Sequence, residues 1–202
     1  MKTTKLPTEK VILQAAQAVF FEKGLAGARM QEIADRAGIN KALLHYYYRS
    51  KDHLSELVIG QAMGLLLRRL LAVLEADLDL FDKIRQLAGE YGAFLSQHRA
   101  LPLFLLNEVH RNPQFFLLTT LGQQRTRMAR FEQQVADAVQ AGRIRPISGM
   151  QLIMNLVSLL IFPLLGKPIL QATFEVSDAA FEAELVRRHT EVADFIIQAL
   201  RP

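Results

Sequence analysis

The chain has 202 residues, with 24 Lys and Arg against 20 Asp and Glu, half of its residues apolar and no Cys. That composition excludes a disordered or collagen-like chain. The absence of Cys excludes disulfides and thiolate metal sites, and the length is ample for a core that needs no staples.

Helical periodicity dominates from the start. Val11, Ala15, Val19 and Ile12, Ala16, Phe20 recur at i, i+4, i+8 and predict a helix over 8–23, opened at Pro7 or Thr8 and closed at Gly24. A short helix follows over 30–37, with Ile33, Ala34 and Ala37 inward. Gly38-Ile39-Asn40 then makes a tight turn, Gly38 ending one helix and Asn40 capping the next, which runs over 41–48. Ser50 is the expected cap of a long helix over 51–74. Further helices are predicted at 79–98, 101–111, 113–141, 148–165 and 178–200, about nine in all, with Pro102 and Pro113 in first turns. Residues 143–148 and 166–177 read as loops, with 173–176 the one stretch that passes as extended. The reading is all-α.

No apolar leader is visible at the N-terminus. The stretch 152–165 is the most apolar, but it falls short of the roughly 20 residues that cross a bilayer. It reads instead as a helix covered on nearly every side by a core or by a partner subunit. The expectation is a cytoplasmic protein with no membrane partner.

Charge is uneven. Residues 1–53 hold nine basic residues against five acidic ones, and the remainder is neutral, so the whole +4 lies in the first quarter. Such asymmetry suits contact with a polyanion. No catalytic constellation accompanies it: the sequence lacks HExxH, a glycine-rich phosphate loop and a nucleophile elbow, and His53 with Glu56 reads as a surface pair. The expectation is a chain that is not an enzyme and uses no cofactor or metal.

The helix, Gly turn and helix between residues 24 and 54 form a helix-turn-helix, whose second helix lies in the major groove. Three consecutive tyrosines, Tyr46, Tyr47 and Tyr48, cannot all face a core, but they suit a surface that packs on one side and meets phosphate on the other. Ala42 permits close approach to a duplex.

Phe20-Phe21-Glu22-Lys23-Gly24, Met30-Gln31-Glu32-Ile33-Ala34, Ala37-Gly38-Ile39-Asn40-Lys41 and Leu44-His45-Tyr46-Tyr47-Tyr48 followed by Ser50-Lys51-Asp52 resemble the DNA-binding domain of the TetR family of bacterial transcription regulators. The resemblance covers about residues 8–55. The chain departs from the usual pattern on its reading face, at Leu43 (commonly a small or hydroxylated residue), at His45 to Tyr48 (commonly Tyr-His-Tyr-Phe) and at Arg49 (often Pro).

The resemblance implies a three-helix DNA-binding domain over 1–53 and a helical effector-binding and dimerisation domain over 54–202. It implies a DNA-contacting set of Met30, Gln31, Asn40, Lys41, Ala42, Leu43, His45, Tyr46, Tyr47 and Lys51, with Leu44, Tyr48, Ile33, Ala34 and Phe20 as core. It also implies a homodimer built on the last two helices through Leu152, Leu156, Leu160, Phe181, Leu185, Val192, Phe195 and Ile196, bound to a palindromic operator in double-stranded DNA. An effector pocket is expected around Phe104, Asn107, His110, Phe116, Gln123 and Arg127, for an unknown, small and largely apolar ligand that releases a repressor. Gly60 and Gly64 are expected to permit close helix packing at the joint of the two domains. The competing reading is an all-helical carrier or enzyme acting on hydrophobic small molecules.

Overall fold

A computed structural model of the chain describes residues 8–111 and 125–202, without the side chains of 125–127. Ten helices form among the described residues: α1 (Thr8–Gly27), α2 (Met30–Ala37), α3 (Lys41–Tyr47), α4 (Lys51–Glu75), α5 (Leu80–Gln97), α6 (Leu101–Arg111), α7 (Arg125–Gln140), α8 (Gly149–Leu165), α9 (Lys167–Phe174) and α10 (Asp178–Leu200). The start of the helix predicted over 113–141 lies outside the described residues.

The first three helices follow from local signals. Ile12, Ala15, Ala16, Val19 and Phe20 form the buried stripe of α1. At Gly24 the backbone takes φ 67° and ψ 171°, a conformation L-residues rarely adopt, and the straight run of α1 ends there before one more turn to Gly27. Gly38, at φ 68°, closes α2 in the left-handed region. The Asn40 side chain accepts from the Leu43 amide at 2.7 Å and opens α3, and Ser50 accepts from the His53 amide at 3.1 Å and opens α4. Lys23–Glu32 (2.6 Å) and Arg36–Glu22 (2.8 Å) tie α1 to α2 across the exposed side.

α4 crosses the boundary expected at 53/54 without a break, packing on α1 at one end and on α5 and α7 at the other. Its buried residues run from Leu54 through Ile59 and Leu66 to Leu74 and belong to one continuous core that reaches from Ile12 to Leu200. It is long and apolar enough to cross a bilayer, but here it packs on α1, α5 and α7. The buried Lys83 Nζ donates to the Leu74 carbonyl at 2.9 Å, placing a cation at the negative end of α4. Desolvation pushes that amine below the usual lysine range.

α5 packs closely against α10 and also touches α8. At Gly92 the helices leave no room for a side chain, and an added Cβ would collide with the His189 ring. α8 begins on Ser148, and the Glu132 carboxylate of α7 accepts from the amides of Gly149 (2.9 Å) and Met150 (2.8 Å). An anion here meets two unpaired amides and the positive helix end. Glu132→Ala is expected to lower unfolding free energy by about 1–3 kcal/mol, as for loss of a charged acceptor. A urea titration with an unchanged midpoint would contradict this.

Two expectations are corrected. Residues 166–177 are not a loop, because α9 forms there with Pro168 in its first turn and Glu175 closing it at φ 52°. Lys167 pairs with Asp178 (3.0 Å) and Glu182 (3.1 Å), which ties α9 to the start of α10. Gly60 and Gly64 do not serve close packing: a Cβ at Gly60 would meet nothing within 4 Å, and one at Gly64 only the Arg68 guanidinium at 3.6 Å. α8, expected to be covered by a core or by a partner subunit, buries Leu152, Leu156 and Leu160 within the subunit and leaves Met150, Met154 and Phe162 exposed.

Candidate nucleic-acid interface

Leu44 and Tyr48 stand four residues apart and both point inward, Leu44 being fully buried and Tyr48 nearly so. With that face committed, Lys41, Ala42, Leu43, His45 and Tyr46 are left on the outside, and Tyr46 is 81% exposed. The tyrosines form a graded set: Tyr46 meets Tyr47 edge to face at 5.5 Å, Tyr47 meets Tyr48 at 6.4 Å, and Tyr48 meets His53 at 6.5 Å. One ring is therefore anchored in the core and one is free at the surface. Burial pushes the Tyr48 hydroxyl above the usual phenol range, so it stays neutral.

The remaining candidates differ in freedom. Gln31 is exposed, yet its side-chain amide donates to Asp35 Oδ1 at 2.8 Å on the same helix. Asn40 spends its oxygen on the cap of α3. Met30 is half-buried against the core. Lys51 is also half-buried, and its Nζ donates to the Ala28 carbonyl at 3.0 Å, joining the first turn of α4 to the segment before α2. An ammonium carries three donors, so two remain.

The cations of this region sort into two groups. Lys23 and Arg36 are neutralised by Glu32 and Glu22. Lys41, Arg29 and Arg49 are exposed and have no acidic partner among the described residues. Sequence reasoning did not single out Arg29, and it marked Arg49 only as a departure from the family pattern. The available signal at Arg29 was a cation standing where a helix cap is expected.

Of the expected effector residues, Phe104, Asn107 and His110 lie among the described residues, and they differ in setting. Phe104 is buried against α1, its ring 6.1 Å from Phe20 and 5.6 Å from Phe21. It is a joint between α6 and the first helices, not a cavity wall. Asn107 and His110 are exposed, with His110 Nδ1 2.8 Å from the Leu106 carbonyl. Phe116, Gln123 and the Arg127 side chain lie outside the described residues. Beside the Phe104 joint, Arg111 bridges the buried Glu108 (2.8 Å) and Asp52 in the first turn of α4 (3.0 Å).

Of the expected interface residues, Leu152, Leu156, Leu160, Phe181, Leu185, Val192 and Ile196 are all buried within their own subunit, each at 7% exposure or less. Only Phe195 is open, at 62%. Apolar periodicity identifies a helix face but not what covers it, and here the subunit's own core does. The outward apolar residues are Met150, Met154 and Phe162 on α8, Ile169 and Phe174 on α9, and Val186 and Phe195 on α10. Between α8 and α10 lies a hollow of about 510 Å3, bordered by Asn155, Ser158, Leu159, Phe195 and Ala199.

Residues 12–58 match the family model of bacterial regulatory proteins of the tetR family. Over 147 residues, 72% of this chain and 74% of the other, the chain is 29% identical to the HTH-type transcriptional regulator UidR of Escherichia coli K12. Among solved structures, a transcriptional regulator from Streptomyces coelicolor superposes with a TM-score of 0.71 at 19% identity, covering 97% of this chain and 100% of that one. The transcriptional regulator FadR from Bacillus subtilis, in complex with stearoyl-CoA, superposes with a TM-score of 0.67 at 13% identity, covering 96% and 100%. At those identities the two structures speak to the fold alone.

Proposed function

The chain belongs to the TetR family of bacterial transcriptional regulators, and from that premise we infer that it is a repressor, acting as a homodimer on a palindromic operator and released by a small, largely apolar ligand. The observation that carries the DNA-binding reading is the division of α3: Leu44 and Tyr48 are held in the core, while Lys41, Ala42, Leu43, His45 and Tyr46 are presented outward. A helix anchored on one side and bare on the other fits the major groove. Tyr47 and the two spare donors of Lys51 stand at its flank for phosphate.

A twofold pair sets two such helices about 34–36 Å apart, one turn of DNA. The open apolar side chains of α8 and α10, with Phe195 bordering the hollow, favour those helices as the contact between subunits, on the face opposite to the one first expected. A bacterial regulator that acts on DNA works in the cytoplasm, and that is the location proposed for this chain. The proposed effector is small and largely apolar. Such an effector acts only to the extent that it binds the DNA-competent and the released states differently. α4, running unbroken from one unit to the other, is the element able to carry that difference.

Selection of bound duplexes from a random pool tests the reading. The wild-type protein is expected to enrich a palindrome. Lys41→Ala and Tyr46→Ala are each expected to change the ranking of operator variants at particular positions, by about 1–3 kcal/mol per position. An identical ranking in both variants would remove α3 from the groove.

A further inference from the structure

Among the described helix starts, five are capped by a side chain that accepts from a backbone amide: Asn40, Ser50, Asp79, Ser148 and Ser177. α2 begins instead on Arg29, which makes no such bond. A guanidinium has donors only and cannot cap. Ser, Thr, Asp or Asn at that position would stabilise the helix start. A cation beside the positive end of a helix is itself unfavourable. Residue 29 therefore works against its own helix twice, and such local conflict points to a role outside the fold.

The tie from Lys51 to Ala28 shows where that role lies. It brings the residue before Arg29 against the second residue after Arg49. Arg29, Arg49 and Lys51 thus collect at one corner, where α2 and α4 begin, beside α3. Both arginines are exposed, and neither has an acidic partner among the described residues, although the nearby Lys23 and Arg36 do. Gathered like charge without an internal counter-charge calls for an external anion.

We propose that Arg29 and Arg49 form a cationic shoulder that grips the phosphate backbone flanking the groove entered by α3. The proposal rests on the DNA-binding reading above. The shoulder adds affinity without sequence preference, because phosphate carries no base information. It also gives Arg49 a task that an uncharged residue at that turn cannot perform.

The test measures binding of the selected duplex, and of an unrelated duplex, by fluorescence anisotropy over a range of salt concentrations. Arg29→Asn and Arg49→Gln are each expected to weaken both duplexes alike and to lower the slope of log affinity against log salt by about 0.9, with the double variant falling by about twice that. Arg29→Asn also restores a cap, so its thermal midpoint is expected to rise while its affinity falls. A merely structural residue cannot move those two readouts in opposite directions. Unchanged slopes in both variants, with the wild type still binding, would overturn the shoulder and leave the DNA reading intact. A wild type that binds neither duplex at low salt would overturn the reading itself.

Discussion

Leu156→Asp is expected to unfold the subunit, whereas Phe195→Asp is expected to leave it folded and monomeric. Leu156 is 3% exposed at the centre of the buried stripe of α8. Removing its side chain forfeits about 2–5 kcal/mol. An unpaired carboxylate in its place adds several kcal/mol of desolvation. A domain stable by about 5–15 kcal/mol does not survive both. Phe195 is 62% exposed, so a charge there stays hydrated and the fold changes by about 0.5 kcal/mol or less. A twofold contact would, however, place that charge against its own copy. Urea denaturation and sedimentation separate the two outcomes. A folded monomer from the Leu156 variant would show that its stripe faces a second subunit after all. An intact dimer from the Phe195 variant would move the interface off that face.

Phe104→Ala is expected to lower stability by about 3–5 kcal/mol, the range for a buried ring removed from a packed site. The ring sits between α6 and the Phe20–Phe21 pair of α1, so the void opens where those two helices meet. Arg111 holds the same joint from the side through Asp52 and Glu108. Of these contacts only the one to Asp52 leaves α6, and it is largely exposed and of small value, so the aromatic cluster carries most of the hold. Equilibrium denaturation with a loss under 1 kcal/mol would place Phe104 in a looser setting than its 4% exposure indicates.

The first helices were legible in the sequence because their determinants are short-range. Gly24 and Gly38 need left-handed or extended-positive backbone, and Asn40 and Ser50 cap within three residues of themselves. A reader of sequence can check each of these within one turn. α9 was hidden for the opposite reason: none of its residues is buried, so no apolar period marks it, and Pro168 reads as a breaker when it is a first-turn residue. The stripes of α8 and α10 were found, but their direction was not, because the same i, i+4 ladder serves an internal core or a partner. Phe104 with Phe20, and Lys51 with the Ala28 carbonyl, are meetings of distant chain segments that no local pattern announces.

The approach of Gly92 to the His189 imidazole carries a consequence for how this chain can drift over generations. Even a methyl at residue 92 would collide with the ring, driving α5 and α10 apart. The two positions therefore form a linked pair: a sequence that abandons glycine at 92 must first shrink residue 189. An exhaustive substitution library should show residue 92 intolerant of every alternative until His189→Ala is introduced, after which alanine or serine becomes viable at 92.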